Sequence, residues 1–204
     1  MRINPITPYY QNYQYKTSAK PAFSGFRPFE TIKHLNLGMA DVGIIGKVRV
    51  FDSTGHDKFL NVVKDTGVCG TEIYMLKTNY GEIIGEMIMR ITKDPPPHKV
   101  ARTGEPSWVW VDFLRNYSNP NTKYYREGLP EYKGIGTRLL QIAQRRSDET
   151  MCGGNLHLCS KTDSKPFYER LGFEEIPTLY EYHQNKMYLP PHAKEPLSKL
   201  YGGL

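Results

Sequence analysis

The chain has 204 residues, 39% of them hydrophobic, which suits one globular domain with a substantial core. Its net charge of +6 suggests nucleic acid at first sight, but four bases (Arg2, Lys16, Lys20, Arg27) and one acid (Glu30) put half of that excess in residues 1–30. The remainder suits anionic ligands and does not call for DNA or RNA. Three cysteines (Cys69, Cys152, Cys159) make no even framework and read as reduced thiols. With no signal-like start and no apolar window of about 18 residues, the expectation is a soluble, cytoplasmic protein without a membrane partner.

Residues 1–34, rich in Tyr, Pro, Asn and Lys, read as a flexible leader, residues 35–190 as the folded domain, and 191–204 as a trailing tail. KVRVF (47–51) alternates like a strand. GHDKFLNVVKD (55–65) groups Phe59, Leu60, Val62 and Val63 on one side of a short predicted helix. TEIYMLKT (71–78) and EIIGEMIMRIT (82–92) flank Asn79-Tyr80-Gly81 and predict an antiparallel hairpin. DPPPH (94–98) breaks the chain.

SWVWVDFL (107–114) predicts a strand with Trp110, Asp112 and Leu114 on one face and Val109, Val111 and Phe113 on the other. A long polar loop follows, then a helix starting near Gly136 whose Leu139, Leu140, Ile142 and Ala143 form an apolar face. NLHLCS (155–160) is a strand, and KPFYERLGF (165–173) a helix with Asp163 or Ser164 as cap and Gly172 as stop. KMYLP (186–190) closes the pattern as a strand. The order predicts an α+β class, with a mixed, mostly antiparallel sheet flanked by helices.

Two stretches carry chemistry. In EYKGIGTRLL (131–140), the amides of residues 134–137 are first-turn donors with no carbonyl inside the helix. Together with the helix dipole they can hold an anion. Gly134 and Gly136 lack Cβ and admit a phosphate to the main chain, Thr137 can add a hydroxyl, and Lys133 or Arg138 a charge. A tight turn before an ordinary helix explains the same glycines. The stretch lacks both G-x-x-x-x-G-K-[ST] and the third glycine of a dinucleotide fingerprint.

The second stretch, PFYERLGF (166–173), follows about thirty residues later, beyond one strand. In this order the two motifs resemble the GNAT superfamily of acyl-CoA-dependent N-acetyltransferases. The family's Q/R-x-x-G-x-G/A loop is matched by Glu131-Tyr132-Lys133-Gly134-Ile135-Gly136, and its FYxxxGF by Phe167 to Phe173. The likeness is clearest over residues 107–174 and extends to the hairpin and the closing strand.

That resemblance implies a GNAT-like acyl-CoA N-acyltransferase fold, with acetyl-CoA or another acyl-CoA as co-substrate and no metal. It implies an amine-bearing acceptor, a small molecule or a protein, and a monomer or homodimer. By position it assigns Glu131 to Arg138 to the diphosphate, the main chain of Phe113, Leu114 and Arg115 to the pantetheine arm, and Tyr168 to the general acid. This chain departs from the family in Glu131, which cannot donate, in the long loop, and in Lys161, where many members carry Asn.

A base is also required, and Asp112 and Glu86 are the candidates beside a water relay, with Glu82 on the same strand face as Glu86. Cys152 and Cys159 around His157 match no zinc spacing. Arg145-Arg146 reads as the exposed side of its helix, and Tyr117, Tyr124, Tyr125, Lys123 and Arg126 as a lid beside the cleft. An acyl-CoA-binding module without turnover, a basic nucleic-acid-binding protein and a scaffold with a recruiting leader are the alternative readings.

Overall fold

The computed structural model describes residues 43–92, 108–176 and 185–189. The predicted leader (1–34), the DPPPH break and the tail (191–204) lie outside the described residues.

Period-two burial organises the first half of the chain. Strand β1 (Gly43–Asp52) pairs antiparallel with β2 (Asp57–Thr66), and Val48 faces Leu60 across the ladder. The turn between them is closed by the Asp52 carboxylate, which accepts from the amides of Thr54 (3.0 Å) and His56 (2.9 Å). The helix predicted over 55–65 is therefore a strand. Leu60, Val62 and Lys64 are buried on one face, whereas Phe59 on the other is 53% exposed. Apolar pairs at 59–60 and 62–63 match either period, and the adjacent β-branched valines together with pairing on both edges favour the sheet.

β3 (Glu72–Lys77) and β4 (Ile83–Thr92) form the predicted hairpin, turned by Gly81 at φ 89° with its amide on the Thr78 carbonyl (3.0 Å). β5 (Trp108–Asn116) adds antiparallel to β4, and a short β6 (Tyr132–Lys133) caps the far edge beside β1. Helix α1 (Ile135–Glu149) then leads to β7 (Leu156–Cys159), which pairs parallel with β5. Helix α2 (Lys165–Arg170), β8 (Glu174–Glu175) and β9 (Lys186–Leu189) complete the fold. Among the described residues the sheet order is β6-β1-β2-β3-β4-β5-β7-β9-β8, with a single parallel pair, a mixed α+β arrangement as expected. Among the described residues no helix is long and apolar enough to cross a membrane.

The core lies where α1 crosses the sheet. Leu139, Leu140, Ile142 and Ala143 are fully buried against a cluster that includes Leu76, Met87, Met89 and Val111. At about 25 cal/mol per Å² of apolar surface removed from water, such side chains each stabilise the fold by roughly 1.5–3 kcal/mol. Gly85 lets the helix approach this closely, because a Cβ there would run into Cγ2 of Ile135 and come 3.4 Å from Leu139. Gly85→Ala is expected to lower stability by about 1–3 kcal/mol, read as a lower urea midpoint with unchanged m.

Charge also enters this core. Arg146, predicted to be exposed, is 3% exposed and grips Glu72 of β3 through Nη2 (2.7 Å) and Nε (3.0 and 3.1 Å). The Tyr74 hydroxyl donates to the same carboxylate (2.8 Å), and buried Lys64 lies 3.8 Å away. Helical period, not sign of charge, sets where Arg146 points, and it points at the sheet. Arg145 is half-buried and pairs along the helix with Glu149 (3.0 Å).

Candidate active site

The sheet itself opens the site. β5 pairs with β7 only over Val109 to Val111, opposite Leu156 to Leu158, yet β5 runs on to Asn116. From Asp112 onward that edge of β5 has no strand partner among the described residues. Opposite β4, Asp112 is an extra residue, since Ile88 faces Phe113 while consecutive Met89 faces Val111. This bulge resets the alternation. Leu114 therefore joins the core beside Met87, and Phe113 turns outward, 47% exposed. The predicted grouping of Leu114 with Asp112, and of Phe113 with Val109 and Val111, is corrected accordingly.

Beside the parted strands lies a cleft of about 470 Å³. Leu114, Arg115, Gly136, Lys161 and Tyr168 line it together with Lys123 and Tyr124 from the long loop, whereas Tyr117, Tyr125 and Arg126, expected beside them, do not. Residues far apart in sequence meet here because α1 starts next to the end of β5. A Cβ on Gly136 would lie 3.1 Å from the Phe167 ring and 3.7 Å from Leu114. Gly134 has a separate reason to be glycine, its φ of 86° at the N-cap of α1.

The first bond of α1 runs from the Arg138 amide to the Gly134 carbonyl (2.9 Å), which leaves the amides of Ile135, Gly136 and Thr137 ahead of the helical ladder. No side chain caps this end, and no acidic residue occupies the first turn. The helix start thus keeps its donors and its positive dipole for something else.

Tyr168 is 8% exposed, held edge-on by Phe167 (centroids 5.1 Å) and Phe173 (5.7 Å). Burial, with a smaller contribution from the nearby Tyr124 phenol, pushes its pKa up to about 12. Lys161 lies between β7 and α2, just before the turn (Thr162–Ser164) that leads into the helix. Gly172 at φ 89° ends α2, as its position suggested.

Other predicted site residues lie elsewhere. Tyr132 and Lys133 form β6, where Lys133 Nζ donates to the Ser53 carbonyl (3.3 Å) and exposed Glu131 precedes them. Ile135 (1% exposed) and Thr137 (5%) pack inward, and the Arg138 guanidinium is spent on the Arg49 carbonyl (2.8 Å) and Gln141 (2.9 Å). Asp112 pairs with Arg90 (3.4 Å), and burial raises its carboxyl against the pull of Arg90 and Trp110. Glu86 accepts from Arg115 (3.1 Å) and the Tyr117 hydroxyl (2.7 Å). Neither Asp112 nor Glu86 lines the cleft around Tyr168, and Glu82 lines a separate one of about 350 Å³ with Tyr132 and Tyr80.

Arg170, Asn119 and Thr122 also line the main cleft without having been singled out from the sequence. Only Arg170 carried a local sign, since it lies inside the FYERLGF stretch.

No protein-family model matches the chain, and no curated protein matches it in sequence. Solved structures are similar to it. AtaT complexed with acetyl-methionyl-tRNAfMet shares 18% identity at a TM-score of 0.44, over 62% of this chain and 75% of that one. The histone acetyltransferase HPA2 and related acetyltransferase from Corynebacterium glutamicum shares 17% at 0.38, over 60% and 66%. Tetrahymena GCN5 shares 16% at 0.34, over 59% and 69%.

Proposed function

We propose that the cleft binds an acyl-CoA and that the protein transfers the acyl group to an amine. One observation carries this reading: the unpaired edge of β5, the open start of α1 and the Tyr168 phenol converge on a single cavity. An extended arm can add to the edge at Phe113, Leu114 and Arg115 as a strand would, through main-chain groups. The diphosphate then meets the amides at Gly136 and its neighbours, and the sulfur lies near Tyr168.

A lysine-like amine with a pKa of about 10.4 must lose its proton before attack, at a cost of about 4.6 kcal/mol at pH 7. A base or a water chain takes that proton. Asp112 and Glu86 are ion-paired and do not line the cleft, which favours the relay. The attack forms a C–N bond, and the tetrahedral intermediate collapses with cleavage of C–S. Tyr168 donates its proton to the departing thiolate.

Calorimetry and melting with acetyl-CoA, followed by thiol release against an amine panel, test the reading. At one hundred times Kd the ligand stabilises by about 2.7 kcal/mol, an upward Tm shift of roughly 5–10 °C. A melting curve unmoved by millimolar acetyl-CoA overturns the proposal. Binding without thiol release from any amine supports the non-catalytic module instead.

A further inference from the structure

The second cavity, of about 350 Å³, shares no lining residue with the main cleft. It opens at the end of the sheet where the β3–β4 turn, the start of β2 and the short β6 come together. Leu60 and Pro130 give it apolar walls, Tyr80 and Tyr132 two rings, and Glu82 a carboxylate. The turn fixes that carboxylate. Thr78 Oγ1 accepts from the amides of Tyr80 (3.3 Å) and Glu82 (3.2 Å) and donates to Glu82 Oε2 (3.1 Å). Glu82 Oε1 then takes no hydrogen bond among the described residues, and none of their cations lies within ion-pair distance of Glu82. The other charges on the walls are matched, Asp57 to Arg49 (2.8 Å) and Lys58 to Asp52 (3.7 Å).

The rings stand beside the unmatched charge. Tyr132 is half-buried, and burial, followed by the charges of Glu82 and Asp52, pushes its pKa up. Tyr80 is 93% exposed, so its ring lies uncovered. Water satisfies a carboxylate on an open surface, whereas aromatic rings around one attract a cation to the same place. A guanidinium fork needs both carboxylate oxygens, and Thr78 already engages Oε2. A compact ammonium needs only one, and the apolar walls match a short alkyl stem behind it.

We propose that this cavity is a binding site for a primary alkylammonium group, with its head between Glu82 and the Tyr80 and Tyr132 rings and its stem along Leu60 and Pro130. The site stands apart from the acyl-CoA reading and holds whether or not the main cleft transfers an acyl group. The same group has two sources, a free amine or a lysine side chain of a polypeptide.

Titration of the full chain, followed by NMR at the amides of residues 78–82 and 130–132 with no acyl-CoA present, tests the proposal. Butylammonium is expected to bind saturably with a Kd of about 1–10 mM, and butanol and butyrate about tenfold more weakly or not at all. Glu82→Gln keeps an acceptor for Thr78 and removes the charge, and it weakens butylammonium about fivefold or more. Tyr80→Ala, at an exposed position, weakens it about threefold, whereas Tyr80→Phe keeps the ring and the affinity. Circular dichroism establishes that each variant is folded. Lysine capped at both ends that matches butylammonium assigns the site to a polypeptide side chain; its exclusion assigns the site to a free amine. No saturable shift with butylammonium, equal binding of butanol, or unchanged affinity in both Glu82→Gln and Tyr80→Ala overturns the proposal.

Discussion

Tyr168→Phe is expected to lower the rate constant for acyl transfer by about 10²–10⁴-fold, the range for loss of a positioned general acid. That corresponds to about 2.7–5.4 kcal/mol of barrier. The substitution removes one hydroxyl and keeps the ring between Phe167 and Phe173, so acyl-CoA affinity and stability remain close to the parent. With its pKa pushed up to about 12, the phenol keeps its proton throughout the neutral range. Any loss of rate that reports its ionisation therefore appears near pH 12, above the ordinary value of 10. Its effect on stability has the matching sign. The folded state holds the proton longer than the unfolded chain, so stability falls as pH rises from about 10 toward about 12. Steady-state turnover with saturating acetyl-CoA decides the matter, and a phenylalanine variant within about twofold of the parent removes Tyr168 from the mechanism.

The largest effect on stability is expected at Glu72. Its carboxylate is the shared acceptor for Arg146 and Tyr74 and lies 3.8 Å from the Lys64 ammonium, and these three side chains are almost wholly buried. Glu72→Ala leaves a guanidinium and an ammonium in the core without that partner, which costs about 3–5 kcal/mol in equilibrium unfolding by urea. Burial alone would raise the Glu72 pKa, but the hydrogen bonds from Arg146 and Tyr74 and the charges of Arg146 and Lys64 outweigh it and hold the group below its ordinary 4.5. A carboxyl depressed on folding stabilises above its unfolded value and loses that contribution as pH falls through the folded one. Stability against pH therefore has an acid slope below about pH 4.5 that is shallower in Glu72→Gln. Identical acid slopes in the parent and Glu72→Gln would show that the carboxylate carries no such linkage.

Local chemistry alone was enough for much of the architecture. Alternation marked β1, β5 and β7, Asn79-Tyr80-Gly81 marked the hairpin, and four apolar residues at helical spacing marked the buried stripe of α1. The two motifs pointed to Gly136 and Tyr168, which do line one cleft. Each of these signals lies within a few neighbouring residues, where backbone sterics and side-chain period act directly.

Features that depend on a partner elsewhere were not legible. Residues 55–65 carried apolar pairs that fit either period, and only the ladders on both sides of β2 chose the strand. The bulge at Asp112, which exchanges the faces of Phe113 and Leu114, exists because β4 supplies one residue fewer at that point. Arg146 reads as solvent-facing until β3 brings Glu72 beneath it. Lys123 and Lys161 are ordinary loop charges in sequence, and they come to line one cleft only when the loop after β5 and the segment after β7 meet beside α2. Period and turn chemistry are properties of a short stretch of chain; register, burial of charge and the meeting of distant side chains depend on long-range packing.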